Sequence, residues 1–442
     1  MVYFNIIIFL VISFCNINIS FQSYIILPFK TSVKVKKEYP ENILQNDIEV
    51  TLNIGNPPQS VDLNLRSKLY TFFITSVNSG LPFATFNESK SKTLIKETEK
   101  PEEYSGMEYA KGYMIYDSIF INGKELKNVS LILATELNYK ESGALGLILV
   151  DERDYGNDLS FIYQIKQLYN FDSYTYMIKY KNDNEGELII GAYPHMFNKN
   201  YSETDFYYTK AGVLGKNVDW ILNFDIIKYN NKSIKNINMQ GFTQIEFGLI
   251  RASYKIKSVF NDTLINGKCS QRFNIQRNLI MFHCDKNINI NNFKNLTFVL
   301  KDINTEFTLT PEDLFIKYND EYIFGIVFNF NDNKEEPWIL GKIFMKKFGL
   351  IYDLDRKIIG LYKGNSTKVG NEPKKNSNLI LIILLAVLGI VIIALVIFIV
   401  YYIKKQRKNR ACELDDDNYE YFPNERKFLI SLYIIQFVAI LL

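Results

Sequence analysis

The chain is short of the residues that most catalytic chemistry needs. Its 442 residues include two histidines, His195 and His283, too few for the usual zinc centres and without a His-Glu-x-x-His run. No Gly-x-Ser-x-Gly elbow and no phosphate-binding Gly-x-x-x-x-Gly-Lys loop is present, which removes the common serine-hydrolase and nucleotide chemistries. Net charge is scarce too: a formal +3 spread along the chain leaves no basic stripe, and no nucleic-acid partner is expected. No tandem repeat of about 20 to 50 residues divides the sequence. Neither a metal nor another cofactor is expected.

Apolar residues, at 47%, and aromatics, at 15%, are plentiful, so the chain is globular and long enough for two sizeable cores. Residues 1–20, MVYFNIIIFLVISFCNINIS, read as a secretory signal peptide; the lack of a basic start leaves an uncleaved anchor as the other reading. Residues 379–403 form an unbroken apolar run, about 25 residues and enough to span a bilayer. KKQRKNR follows it, and the positive-inside rule puts that side in the cytosol. A single-pass type I membrane protein of the secretory pathway is expected, at the plasma membrane or in endolysosomal membranes. Its cytoplasmic tail, 404–442, ends in an apolar stretch, 428–442, short for a span; it lies at the interface, pairs with the first helix or reflects a wrong gene boundary.

The four cysteines fit that topology. Cys15 leaves with the signal and Cys412 is cytosolic, so Cys269 and Cys284 remain outside and are expected to join in a disulfide. No free thiol is then left for a Cys-His peptidase, and His283 reads as a strand neighbour of the disulfide. Glycosylation sequons begin at Asn87, Asn128, Asn200, Asn231, Asn261, Asn295 and Asn365, as happens by chance in any Asn-rich chain.

Between the membrane signals the pattern is mostly strand. DIEVTLNI, YTFFIT, DSIFI, GELIIGA and FTLTPEDLFI alternate apolar and polar residues and stop at Gly, Asn or Pro. The clearest helical spacing runs from Leu159 to Leu168. GNSTKVGNEPKKNSN is polar and aperiodic, a stalk over 364–378.

The segment PWILGKIFMKKFGLIYDLDRKIIGLYK resembles the close of the second lobe in pepsin-like aspartic peptidases: Trp338 to Gly341, Phe344, Asp353 and Ile359 to Leu361 keep that family's order and spacing. IGNPPQ at Ile54 to Gln59 resembles its opening hairpin. GYMIYDSIFING resembles the strands after its flap, and GALGLI from Gly143 the strand pair closing its first site. GELIIGAYP at Gly186 and WILNFDIIKY at Trp220 resemble segments flanking the lobe junction. Cys269 and Cys284 sit where many members carry a second-lobe disulfide. The resemblance covers roughly Glu49 to Lys363. It implies an all-β, bilobal double β-barrel ectodomain, with lobes at 21–205 and 206–363; the apolar run at 379–403 adds a single transmembrane helix after it.

The family's chemistry needs two carboxylates from two Asp-Thr/Ser-Gly loops sharing one proton, one acting as base and the other polarising the scissile carbonyl. Here Arg66-Ser67-Lys68 occupies the first loop, and arginine cannot deprotonate at workable pH. Asp62, on the same strand, reads as an ordinary strand carboxylate. In TQIEFGLIRASY, matching Gly248 to the loop glycine puts Glu246 at the second position, the preferred alignment, whereas matching LIRAS puts Gln244 there. In the flap, Gly106 and Gly112 are kept and the family's tyrosine falls on Ser105, with Tyr104 one residue away. Two functions follow: a catalytically inactive homologue serving as a binding or adhesion ectodomain for a peptide or protein ligand, or an active membrane-anchored endopeptidase with an atypical dyad. If the two loops meet, Arg66 and Glu246 are expected to pair across the old centre, the other reading being that Arg66 turns to solvent.

The charge step also sets a topology. Protease protection on sealed microsomes is expected to shield residues 21 to about 378 and leave 404–427 cleavable. Glycans on the tail side overturn it.

Overall fold

A computed structural model describes residues 24–31, 43–105, 109–138, 141–148, 159–214, 217–235, 237–266, 268–330, 336–363 and 401–405. The chain divides into two compact units, Met1–Ser366 and Thr367–Leu442. The described part of the second is a helical stretch at 401–405. The signal segment 1–20, Gly106, Asn365, the stalk, most of 379–403 and the rest of the tail lie outside the described residues. Among the described residues no helix is long and apolar enough to cross a membrane.

The first unit is mostly β, and the strands follow from alternation. In Ile48–Ile54, Ile48, Val50, Leu52 and Ile54 are buried while Glu49, Thr51 and Asn53 face outward. Gln59–Arg66 pairs with it antiparallel, setting outward Asp62 opposite Thr51, whose hydroxyl donates to the Asp62 carboxylate at 2.6 Å. Asp62 is thus the strand carboxylate expected. Six strands close a barrel in the order Ile48–Ile54, Gln59–Arg66, Gly143–Gly146, Phe72–Thr75, Lys124–Leu137 and Tyr109–Ile121, the last returning to the first through Asn53↔Phe120.

The second half is a 13-stranded sheet, and no pairing joins its ends among the described residues. Among the described residues, the expected double barrel is therefore closed in the first half alone. Its long strand Asn217–Tyr229 shifts register between Phe224 and Ile226, so one part pairs with Gln240–Thr243 and the other with Leu296–Leu300. The halves share a platform. Ile351–Asp353 and Ile358–Tyr362 cross back to pair with Thr175–Tyr180 and Phe206–Lys210, so the boundary drawn at 205/206 falls inside a sheet built by both.

Two local readings differ in outcome. The helix forms as Phe161–Tyr169, capped by the Ser160 hydroxyl and ended by Asn170 in the left-handed region. FTLTPEDLFI, read as one strand, is split into Thr305–Leu309 and Phe315–Tyr318. Pro311 starts a short helix between them, and the Asp313 carboxylate accepts from the Thr310 N–H at 2.8 Å.

Cys269 and Cys284 stand directly opposite on neighbouring strands and form the expected disulfide. His283 is buried beside it, its Nδ1 at 2.8 Å from the Glu321 carboxylate. Replacing both cysteines by serine is expected to lower unfolding free energy by about 3 kcal/mol in urea titrations, from loop-closure entropy. An unchanged midpoint contradicts that.

Candidate functional site

Each half carries the same four-strand device. In the first, Gly143–Gly146 lies parallel to Gln59–Arg66 and antiparallel to Phe72–Thr75, which runs parallel to Lys124–Leu137. In the second, Trp338–Leu340 lies parallel to Gln240–Thr243 and antiparallel to Ile250–Ala252, which runs parallel to Ile326–Asn329. The connecting loops, 66–71 and 244–249, are thus structural counterparts. Each rests on a glycine. The Gly146 and Gly341 amides donate to the carbonyls of Thr71 and Leu249 at 3.0 and 3.1 Å. A Cβ on either glycine would lie 2.4 Å or less from a loop carbonyl oxygen, so no other residue fits without moving the loop.

Register settles the equivalence left open by the sequence. Leu145 faces Leu65 and Phe72, while Leu340 faces Thr243 and Ile250. Counting on from Leu65 and Thr243, Arg66 corresponds to Gln244, and Glu246 corresponds to Lys68. The preferred match of Glu246 to the second catalytic position is therefore corrected to Gln244. Glycine identity at 248 misled because Gly248 answers another constraint: a Cβ there would sit 1.9 Å from the Ile43 carbonyl oxygen.

Arg66 is 21% exposed and turns neither to Glu246 nor freely to solvent. Its Nη2 meets Glu141 Oε1, its Nε lies 3.4 Å from the other oxygen of that carboxylate, and its Nη1 lies 3.3 Å from Asp47 Oδ1. Glu141 is 8% exposed, so this fork-shaped contact is largely desolvated. Glu246 is held by Ser67 instead. The Ser67 N–H donates to Oε1 and the Ser67 hydroxyl donates to Oε2 at 2.6 Å. The expected Arg66–Glu246 pair is thus corrected. The adjoining residue supplies both donors to Glu246, and the guanidinium is neutralised from its own lobe and from the strap at 43–47.

That strap ties the first half to the second loop. The Asn46 N–H donates to the Glu246 carbonyl at 2.9 Å, Asn46 Nδ2 to the Ile245 carbonyl at 2.7 Å and to the Tyr180 hydroxyl at 2.8 Å, and the Gly248 N–H to the Leu44 carbonyl at 2.9 Å. Beneath lie aromatics: Tyr176 stacks on Tyr352 at 4.7 Å, and Tyr176 and Trp220 both donate to the Leu147 carbonyl. Burial first, with the Glu246 charge adding to it, pushes the phenols of Tyr176, Tyr180 and Tyr352 up, so they stay neutral.

The flap is a hairpin of Glu102–Ser105 on Tyr109–Ile121. Tyr104 lies against a cluster that includes Phe73, Ile132 and Ala144, with its buried hydroxyl unpartnered. Burial, then the nearby charges of Glu102 and Glu97, raises its pKa to about 12. Ser105 pairs with Tyr109 in the strand ladder. Among the described residues no group of three or more His, Cys, Asp or Glu side chains is placed to hold a metal ion.

A duplicated strand–loop–strand device, joined across a shared sheet and centred on two facing loops, defines a protein of the aspartic-peptidase class. The chain belongs to the eukaryotic aspartyl protease family, whose model matches residues 50–363. It is similar to Plasmepsin VI of Plasmodium berghei (strain Anka), 22% identical over 385 residues that cover 79% of this chain and 82% of that protein.

The contacts set an order of coupling. Ser67→Ala and Glu246→Ala are each expected to cost about 1–3 kcal/mol, with the double variant costing less than their sum. Arg66→Ala should couple more strongly to Glu141→Ala than to Glu246→Ala in the same denaturation cycles. Equal coupling to both partners contradicts this arrangement.

Proposed function

We propose that the chain is a catalytically silent, membrane-anchored member of the aspartyl protease family that works as a binding ectodomain for a peptide or protein ligand. One observation carries the reading: the register pair at the centre is Arg66 and Gln244, a cation and a neutral amide. Neither takes a proton from water at workable pH, so the shared-proton chemistry of two carboxylates has no seat. The remaining acids are committed, Glu141 and Asp47 to Arg66 and Glu246 to Ser67.

The membrane reading rests on the apolar run 379–403 with KKQRKNR after it, and on the leader at 1–20. An oxidising compartment agrees with the disulfide. Asn128, Asn200, Asn231 and Asn295 are exposed and are the sequons open to glycosylation; Asn87 and Asn261 are half-buried. The plasma membrane or an endolysosomal membrane is the proposed location.

Purified protein is expected to cleave no peptide between about pH 3 and 5, where paired carboxylates work. It is also expected to bind a statine-type transition-state analogue weakly, because that hydroxyl is gripped by both carboxylates. Hydrolysis that disappears on Glu246→Gln overturns this reading in favour of an atypical dyad.

A further inference from the structure

Arg251 is a cation that no step above uses. Its strand, Ile250–Ala252, leaves the second central loop and buries Ile250 and Ala252 in the main core, which turns Arg251 onto the opposite face. There its lateral neighbours are Ile339 and Val327, both buried and apolar. They belong to a cluster with Phe247 and Leu249 of the central loop and Leu44 of the strap, so Arg251 stands beside the site. Its Nε is buried with no hydrogen-bond partner, and no ion pair engages the guanidinium among the described residues. Among the described residues the carboxylate that acts on its charge is Glu336, which already accepts from Asn329 Nδ2. Loss of hydration alone makes the charged form less favourable there.

We propose that Arg251 is the anchor for a carboxylate of a peptide bound between the lobes, either an Asp or Glu side chain or the chain's own C-terminus. This rests on the peptide-binding reading and adds the ligand class. Arg251 is half-buried, and its buried, unpartnered Nε is unfavourable; a ligand carboxylate is the group that relieves it. The guanidinium fork matches the two oxygens of a carboxylate, whereas the surrounding Ile339, Val327 and Leu249 reject a neutral polar group that cannot return the charge. Arg251 lies five residues from Glu246 along an extended path of about 17 Å at most, so the acid sits a few residues from the ligand's centre.

The test uses the full chain in nanodiscs and a positional library of peptides about eight residues long, with Glu or Gln fixed at each place and C-termini free or amidated. Wild type is expected to prefer the charged form roughly tenfold at one place. A preference for Glu over Gln assigns a side chain, and one for the free over the amidated end assigns the C-terminus; either supports the proposal. Arg251→Met should erase the preference and Arg251→Lys should keep part of it. Arg251→Met should also hold or raise Tm, since it removes a partly buried charge with no ion-pair partner among the described residues. Peptides bound without acid preference, a preference that survives Arg251→Met, or a drop in Tm overturns the anchor and leaves the peptide-binding reading standing. Absence of any peptide binding removes both.

Discussion

A guanidinium at the meeting point of two lobes has to be neutralised where it stands, and the arrangement of Glu141, Asp47, Ser67 and Glu246 follows from that demand. Arg66 emerges from the end of a largely buried strand and is itself only 21% exposed. Glu141 reaches it from the approach to the strand Gly143–Gly146, which is laid beside Arg66 by the parallel pairing Arg66↔Gly146. Asp47 comes from the strap just before the first barrel strand. Removing one partner would leave charge buried, so these groups stand or fall together.

With the cation satisfied within its own half, the bond across the halves passes to a neutral donor. Ser67 offers an N–H and a hydroxyl, and Glu246 accepts both. This is a charge-assisted contact with one formal charge, and it needs no second ion to be desolvated. The strap reinforces it, because the same five residues that carry Asp47 also bond the second loop through Asn46 and Leu44. Charge neutralisation in one half and docking of the other half are therefore mechanically linked through residues 43–47.

Much of the scaffold was legible because it rests on local or repeated signals. Alternation located Ile48–Ile54, and helical spacing from Leu159 to Leu168 located the helix Phe161–Tyr169. The run from Trp338 to Leu361 matched a family order that the topology explains, since those strands complete both the second device and the shared platform. The site was less legible. Arg66 was identified by its place in the opening stretch, but its partner Glu141 lies 75 residues away, and no spacing signals such a pair. Pairing Arg66 with Glu246 on charge alone overlooked the backbone N–H of Ser67, which is invisible in residue type yet obligatory in accounting. Ser67 itself was in view, at the hydroxyl position of the motif, and its use as the cross-lobe donor was the readable signal.

The choice between Gln244 and Glu246 shows why identity is a weaker guide than register. Gly248 looked like the motif glycine, yet it is small because the strap's backbone presses on it. The stretch LIRAS carried the better alignment, since its strand pairs with Ile339 and Leu340 and so inherits a fixed count from the loop. That same count turns Arg251 away from the core, onto the face shared by Phe247 and Leu249. Register therefore does two things at once: it places Arg66 and Gln244 at equivalent points of the two loops, and it sets beside them a second arginine whose Nε has no partner among the described residues. The carboxylates that do reach the central loops, Glu141, Asp47 and Glu246, come from positions that register sets apart from the pair Arg66 and Gln244, and each is held by a residue of the first central loop.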